Sequence, residues 1–176
     1  MNGIRFEKVS FSQFEKDCKK IGLWNDNQIK EAYEGLKLPK RGTSGSAGYD
    51  FVTPFGFELY NVKTWMGNFM ESEIITIPTG IRVKMPKGKA LILMPRSGLG
   101  FKSGMSLANT IGLIDEDYFY SDNEGHIMAK FVRGFNDIEI KQFERVMQGI
   151  FIDYYTTEDD ESNGTRNGGF GSTGNL

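Results

Sequence analysis

The chain has 176 residues, 21 lysines and arginines, 23 aspartates and glutamates, and a formal net charge of −2. This length suits one domain with a sizeable core, and so small a net charge gives no field that favours nucleic acid or an anionic membrane. One cysteine and one histidine exclude an intramolecular disulfide and Cys-rich or His-rich metal motifs, and they argue against a Ser-His-Asp site. No long apolar run and no signal-like N-terminus occur, so we expect a cytoplasmic protein without membrane contact.

The first part of the chain predicts a short strand followed by two helices. Ser12 and Glu15 form a capping-box pattern that predicts the start of the first helix, and Gly22 predicts its end. Asn25 or Asp26 predicts the cap of the second helix. We interpret the two helices as a packing arm or an oligomer contact in preference to a ligand-binding element.

From residue 39 onwards the sequence is typical of a β protein. Alternating and β-branched runs are separated by turn sequences at residues 78–80 and 86–88, and turn signals recur about every 8–12 residues. We therefore predict an all-β, jelly-roll-like barrel over residues 39–157, preceded by a helical extension over residues 1–38.

The last stretch, residues 158–176, is rich in Gly, Ser, Thr and Asn, and its only large apolar residues are Phe170 and Leu176. Such a segment buries too little surface to offset its ordering entropy, so we expect a mobile C-terminal arm. Its aromatic ring is suited to stacking on a base, and its hydroxyls and unhindered backbone amides are suited to phosphate. A plain flexible linker is the alternative.

Residues 107–118 place an apolar, β-prone segment directly before three acids, Asp115, Glu116 and Asp117. Buried charge costs several kcal/mol unless it is paired, so the acids argue against a core strand. The pattern favours a hairpin that holds a ligand against its backbone, with a carboxylate beside it.

The segment 95–100 follows a predicted strand and contains Arg96, Ser97 and Gly98. A permanent cation, a hydroxyl and a flexible backbone are together suited to phosphate oxygens. An ordinary hairpin turn with a surface arginine is the alternative. The single histidine, His126, is interpreted as a structural or surface residue and not as a catalyst.

Five ordered segments resemble the five motifs of the trimeric dUTPase (deoxyuridine triphosphatase) family, and the resemblance covers residues 38–176. Motif 1 is at residues 47–50, motif 2 at 95–100, motif 3 at 109–118, motif 4 at 144–148 and motif 5 at 168–174. Five motifs in order at plausible spacing are a specific signal. The chain is identified as similar to phage or bacterial members of this family.

The resemblance implies a jelly-roll subunit in a homotrimer, with active sites at the subunit boundaries and a mobile C-terminal motif that closes each one. It implies hydrolysis of dUTP to dUMP and pyrophosphate. Mg²⁺ would be held by the triphosphate and by water, without direct protein ligands, because this ion prefers phosphate oxygens and water. Direct binding of nucleic acid is not expected.

The resemblance also implies roles for individual residues. Asp115 would be the base that polarises the attacking water. Asn109 and the hairpin backbone at Gly112 and Ile114 would read uracil, and Tyr118 would pack beneath the deoxyribose and exclude a ribose 2′-hydroxyl. The other implied residues are Arg96, Ser97, Gly98 and Gln148 at the phosphates, Phe170 over the uracil, Arg166, Gly171, Ser172 and Thr173 in the closing motif, and Asp50 and Arg145 as support for the site.

The sequence departs from the common family pattern at several points. Residues 119–124, the rim segment, intervene before Gly125 where the family commonly has one residue, and the N-terminal helices lie outside the common core. Arg166 stands two positions before Gly168, where an arginine three positions before the paired glycines is frequent. Met147 replaces a residue that is often small.

Two alternative functions stay open. A dCTP deaminase, or a bifunctional deaminase and dUTPase, has a similar fold, although no Glu-centred signature for deamination lies within the motifs. A regulatory protein that binds a protein partner on a dUTPase scaffold is the second alternative. In that case residues 1–38 and 119–124 are the expected contact surface.

Overall fold

The structure is a computed structural model that describes residues 3–60, 73–162 and 164. The strands are β1 (Arg5–Lys8), β2 (Lys40–Arg41), β3 (Tyr49–Val52), β4 (Phe57–Leu59), β5 (Ile74–Pro78), β6 (Ile81–Lys84), β7 (Lys89–Pro95), β8 (Ser106–Leu107), β9 (Gly112–Ile114), β10 (Met128–Val132), β11 (Ile138–Ile140) and β12 (Arg145–Asp153). The helices are α1 (Phe11–Ile21), α2 (Asp26–Gly35), α3 (Ser97–Ser103) and the 3-10 helix Glu116–Tyr120.

Neighbouring strands in the sheets pair in antiparallel orientation. One sheet has the order β2-β3-β12-β7-β9 and another the order β5-β10-β8, while β1 pairs with β6 and β11 with β4. The long strand β12 is central to the larger sheet because it pairs with β3 on one side and with β7 on the other. This mostly β architecture with few helices confirms the predicted all-β, jelly-roll-like fold.

The main core collects apolar side chains from most of the strands. Leu59, Leu91 and Phe131 have no exposed surface, and the rings of Phe57 and Phe131 stack with centroids 5.8 Å apart. Burial of apolar surface contributes about 25 cal/mol per Å², so this core is the main source of stability for the strands that carry the candidate site.

The start of α1 differs from its prediction. The N-cap is Ser10, whose side chain accepts a hydrogen bond from the backbone N–H of Gln13 at 3.1 Å, so the predicted cap at Ser12 is wrong. Phe11 has a helical backbone already, because the serine before it satisfies one of the free N–H groups of the first turn. Gly22 ends the helix in the left-handed region at φ 78°, as predicted.

The start of α2 follows its prediction. Asn25 accepts a hydrogen bond from the backbone N–H of Gln28 at 3.0 Å, and the Gln28 side chain accepts one from the backbone N–H of Asn25 at 2.9 Å. These reciprocal bonds form a capping box in which Asn25, the first of the two predicted candidates, is the cap.

The two N-terminal helices pack onto the β domain through a second apolar cluster. Phe14 of α1 and Ile29 of α2 are fully buried there, next to Phe55. Trp24, between the helices, stacks on Phe55 with ring centroids 3.8 Å apart. The helices are therefore a packed layer of the domain.

The sequence predicted no helix beyond the N-terminal pair, and α3 contradicts this expectation. Its segment contains two glycines, which are poor helix formers, so propensity argues against it. A local hydrogen bond and the cap explain this helix. The Ser103 hydroxyl donates to the carbonyl of Leu99, and Gly104 ends the helix in the left-handed region at φ 72°. In the described part of the chain, no helix is long and apolar enough to cross a membrane.

Replacing Phe14 with alanine is expected to lower the free energy of unfolding by about 3–5 kcal/mol, because the fully buried ring leaves a cavity. Phe11 lies on the same helix and remains 39% exposed, so Phe11→Ala is the matched control and is expected to cost about 1 kcal/mol. Urea unfolding followed by circular dichroism at one protein concentration measures both changes. Equal losses would contradict the described packing of α1.

Candidate functional site

A pocket of about 240 Å³ lies beside the β8–β9 hairpin, between the hairpin, β7 and β10. Four residues predicted to bind substrate line it together: Asn109, Gly112, Ile114 and Tyr118. The structure therefore brings the predicted base-reading residues and the predicted sugar contact into one cavity.

The hairpin is held between the two larger sheets, because β8 pairs with β10 while β9 pairs with β7. Its turn is closed by the N–H of Thr110, which donates to the carbonyl of Leu107 at 2.9 Å, and Thr110 has a φ of 66°. A Cβ on Gly112 would lie 3.1 Å from Cβ of Leu93, so glycine allows β9 to approach β7 closely. The hairpin segment is thus fixed by backbone pairing at both ends.

The strand β9 is at the edge of the five-stranded sheet. All three of its residues, 112–114, line the pocket. An edge strand presents backbone N–H and C=O groups that no strand of the same sheet uses on that side. Together with the Asn109 amide, these groups can form hydrogen bonds with the polar edge of a planar ring.

Tyr118 is 4% exposed, and its hydroxyl is fixed from two directions. The hydroxyl donates to the carbonyl of His126 at 2.8 Å and accepts from the side-chain amide of Asn123 at 2.8 Å. Because the polar tip is satisfied inside the protein, only the ring is available to the pocket.

The three acids after β9 have different surroundings. Asp115 is half-buried. It follows the pocket residue Ile114 and is the N-cap of the 3-10 helix, but it does not itself line the pocket. Glu116 accepts a hydrogen bond from the backbone N–H of Gly88 in the turn between β6 and β7. Asp117 is exposed. Glu116 is thus directed towards the turn between β6 and β7.

Asp50 joins the arginines of motifs 2 and 4. One carboxylate oxygen lies 3.4 Å from Nε of Arg96, and the other accepts from the guanidinium of Arg145 at 3.2 Å. Gln148 pairs opposite Asp50 across β3 and β12. A Cβ on Gly48 would lie 2.9 Å from Oε1 of Gln148, so glycine permits this approach. Motifs 1, 2 and 4 therefore meet at one arginine cluster.

The arginine cluster offers cationic and polar groups to an anion. Ser97 and Gly98 are exposed and begin α3 directly after Arg96. The side chains of Arg96 and Arg145 are 37% and 53% exposed. Such exposed ion pairs add little stability, but Asp50 fixes the direction of two guanidinium groups. The arrangement is suited to phosphate oxygens.

The pocket lies beside the middle of β7, whereas the arginine cluster follows the end of this strand. Ile114, the residue before Asp115, pairs with Leu91, whereas Arg96 follows the end of β7. The five steps from Leu91 to Arg96 span about 17 Å in an extended strand. The position opposite Ile114, the residue before Asp115, is therefore well separated from Arg96 along β7.

Several lining residues were not predicted from the sequence. They are Leu93, Leu107, Ile111, Leu113, Met128, Ala129, Lys130 and Met147. Met147 was noticed only as a large residue where a small one is common, and the structure places it, 1% exposed, in the pocket wall. The residues from β10 carry no local signal, because only the pairing of β10 with β8 brings them to the pocket.

The predicted residues of the closing motif lie outside the described residues, and their roles stay predictions. These residues are Arg166, Phe170, Gly171, Ser172 and Thr173. Within the described ranges, no group of three or more His, Cys, Asp or Glu side chains is placed to hold a metal ion.

Comparison with known proteins places the chain among dUTPases. The sequence model of the dUTPase family matches residues 34–174. The deoxyuridine 5′-triphosphate nucleotidohydrolase of Lactococcus lactis subsp. lactis is 40% identical over 145 residues, which cover 80% of this chain and 89% of that protein. The protein of the same name from Desulfitobacterium hafniense is 32% identical over 161 residues, which cover 85% of this chain and 98% of that protein.

A solved structure shows the same fold. The crystal structure of dUTPase from Streptococcus mutans aligns with a TM-score of 0.58 and 29% sequence identity. The alignment covers 87% of this chain and 98% of that chain.

Proposed function

Since the chain belongs to the dUTPase family and hydrolyses dUTP to dUMP and pyrophosphate, we propose that the hairpin pocket binds the uracil and deoxyribose of this substrate. The observation that carries the proposal is the convergence of Asn109, the β9 edge and Tyr118 on one cavity. A hydrolase that must select a nucleoside needs polar groups for the base and a shaped wall for the sugar.

The edge of β9 and the Asn109 amide discriminate the base. Uracil presents carbonyl acceptors around one N–H donor, and backbone N–H and C=O groups complement this order. Cytosine presents a donor where uracil has an acceptor, so a buried polar group would lose its partner, which costs far more than a small misfit in shape. The apolar wall that includes Leu93 and Met147 leaves restricted room for a methyl group on the ring.

The ring of Tyr118 forms the wall beneath the sugar. Its hydroxyl is bonded to His126 and Asn123, so the ring is held in place before a ligand binds. A fixed wall excludes a ribose 2′-hydroxyl at little entropic cost on binding.

Asp115 acts as the base that orients and polarises the water attacking the α-phosphorus, with pyrophosphate leaving from the opposite side. Positioning the nucleophile and neutralising the phosphate oxygens are the main tasks in such a transfer. Its place directly after the base-reading strand supports this role. Mg²⁺ fits this site without a protein cage, since it binds through phosphate oxygens and water, and when bound it neutralises charge on the triphosphate.

The arginine cluster binds the phosphates of a nucleotide held by another subunit. Within one chain the register places Ile114, the residue before Asp115, opposite Leu91, which is about 17 Å from Arg96 along β7, and this argues against one chain supplying both groups to one phosphate. A homotrimer with sites at its subunit boundaries brings the pocket of one subunit to Arg96, Ser97, Gly98 and Gln148 of the next.

Asp115→Asn is expected to lower kcat for dUTP by about 10²–10⁴-fold while dUTP still binds, because the amide fills the same space but is a poor base. Pyrophosphate release measures turnover, and calorimetric titration measures binding. In the wild type, dCTP, dTTP and UTP are the comparison substrates. Turnover of Asp115→Asn within about tenfold of the wild type would reject Asp115 as the base, and deamination of dCTP would contradict a plain dUTP diphosphatase.

Mixing two inactive variants tests whether sites are shared. Arg96→Ala and Asp115→Asn are each expected to be nearly inactive as homotrimers. Co-expression in equal amounts should restore up to about one quarter of the sites, because random trimers contain some boundaries with both wild-type side chains.

The control for this mixture is each variant co-expressed with a second copy of itself. A mixture no more active than these controls would show that Asp115 and Arg96 serve the same site from one chain.

A further inference from the structure

Helix α1 and the rim segment, which both lie outside the family motifs, are bonded to each other. The backbone N–H and the hydroxyl of Ser10 donate to the two carboxylate oxygens of Glu124 at 2.8 and 2.6 Å. Further along α1, Oδ2 of Asp17 lies 2.6 Å from Nδ1 of His126, which is two residues after the rim segment. These links join residues 114 and 109 positions apart in the sequence. The two additions therefore form one unit.

The ring of His126 is held at both nitrogens. It is fully buried, and its Nε2 accepts a hydrogen bond from the backbone N–H of Gly80 at 2.8 Å. Because Nε2 is an acceptor, the proton is on Nδ1, which donates to Asp17. A buried imidazole with both nitrogens satisfied has one favoured orientation.

Asp17 is a charged acceptor at neutral pH. Burial opposes its ionisation, but hydrogen bonds from His126 and Gln13 outweigh burial and hold the pKa of Asp17 below the usual value of 3.8. Gln13, one turn earlier on α1, donates to the same carboxylate oxygen at 2.8 Å. The carboxylate is thus fixed on the helix before it meets the histidine.

The same histidine holds the tyrosine of the pocket. The carbonyl of His126 accepts from the Tyr118 hydroxyl at 2.8 Å, and the Asn123 amide lies within 3.3 Å of that carbonyl while donating to the hydroxyl. A movement of the His126 backbone would therefore change the position of the ring that lines the pocket.

We propose that Asp17 and His126 are positioning residues for the substrate pocket, through which helix α1 and the rim segment hold the Tyr118 ring against the sugar. The inference rests on the proposed contact between Tyr118 and deoxyribose. It assigns to the N-terminal addition a role in discriminating dUTP from UTP, because a 2′-hydroxyl is excluded only while the wall beneath the sugar stays in place.

The test compares kcat/KM for dUTP and UTP in the wild type and in Asp17→Ala. The ratio of kcat/KM for dUTP to kcat/KM for UTP is expected to fall about tenfold. The main causes are a higher KM for dUTP and a weaker exclusion of UTP from the pocket. Asp17→Asn should keep most of the preference, because its amide oxygen still accepts from Nδ1–H. A purely structural role would reduce the active fraction for both substrates equally and leave their ratio unchanged.

Glu15→Ala is the matched control. It removes a carboxylate from the same helix, but that carboxylate pairs with Lys19 and makes no contact with the rim among the described interactions. The dUTP preference should be the same as in the wild type. If Asp17→Ala also keeps the wild-type preference, the inference is overturned.

Tyr118→Phe tests the tyrosine end of the hydrogen-bonded connection from Asp17 through His126. It keeps the ring and removes the hydroxyl that donates to the carbonyl of His126. Asp17→Ala combined with Tyr118→Phe should lose no more preference than the stronger single variant, whereas independent residues would give multiplied losses. If Asp17→Ala does not fold, the preference for dUTP over UTP is measured in Tyr118→Phe and Asn123→Ala instead. An unchanged preference in both would overturn the proposal.

The two proposals fail in distinguishable ways. A wild-type protein that does not release pyrophosphate from dUTP would contradict the proposed function whatever the variants do. A wild type that strongly prefers dUTP, together with an Asp17→Ala variant of equal preference, would contradict only the positioning role.

Discussion

The pairing of β9 with β7 is the interaction on which the candidate site depends. The three residues of β9 pair with Leu91, Ile92 and Leu93 of β7. This register fixes the position of Asn109 before the strand and of Asp115 after it. Gly112 makes the pairing close, because a side chain there would press on Leu93. Without this register, the proposed base-reading edge and the carboxylate after it would have no defined position relative to each other.

The same register separates the two chemical halves of the site. The proposed nucleoside pocket is beside the middle of β7, and the phosphate-binding candidates follow the end of this strand. In the proposed trimer, each subunit carries half of one site and half of another, so we expect activity to depend on assembly. Asp50 orients Arg96 and Arg145 before any phosphate is present. The two arginines are therefore preorganised for the proposed phosphate binding.

Much of the fold could be predicted from local patterns, and the resemblance to the family motifs named four of the residues that line the pocket. Alternating apolar residues and turn signals predicted the β domain, and the acids after an apolar hairpin indicated the ligand-binding edge. The cap of α1 was misplaced because both Ser10 and Ser12 are chemically suitable, and only the folded chain shows which serine faces Gln13. The pocket wall from β10 and the bond between Asp17 and His126 depend on contacts between distant segments, which one sequence does not reveal.

In the proposed assembly, one subunit's hairpin binds the nucleoside while another subunit's arginine cluster binds the phosphates. A crystal structure of the assembled protein with Mg²⁺ and a dUTP analogue that resists hydrolysis tests it most directly. We expect uracil to be hydrogen-bonded to the β9 backbone and Asn109, the sugar to lie on Tyr118, and the phosphates to lie at Arg96 of the partner subunit. Uracil bound elsewhere, or base and phosphates held by a single chain, would contradict it.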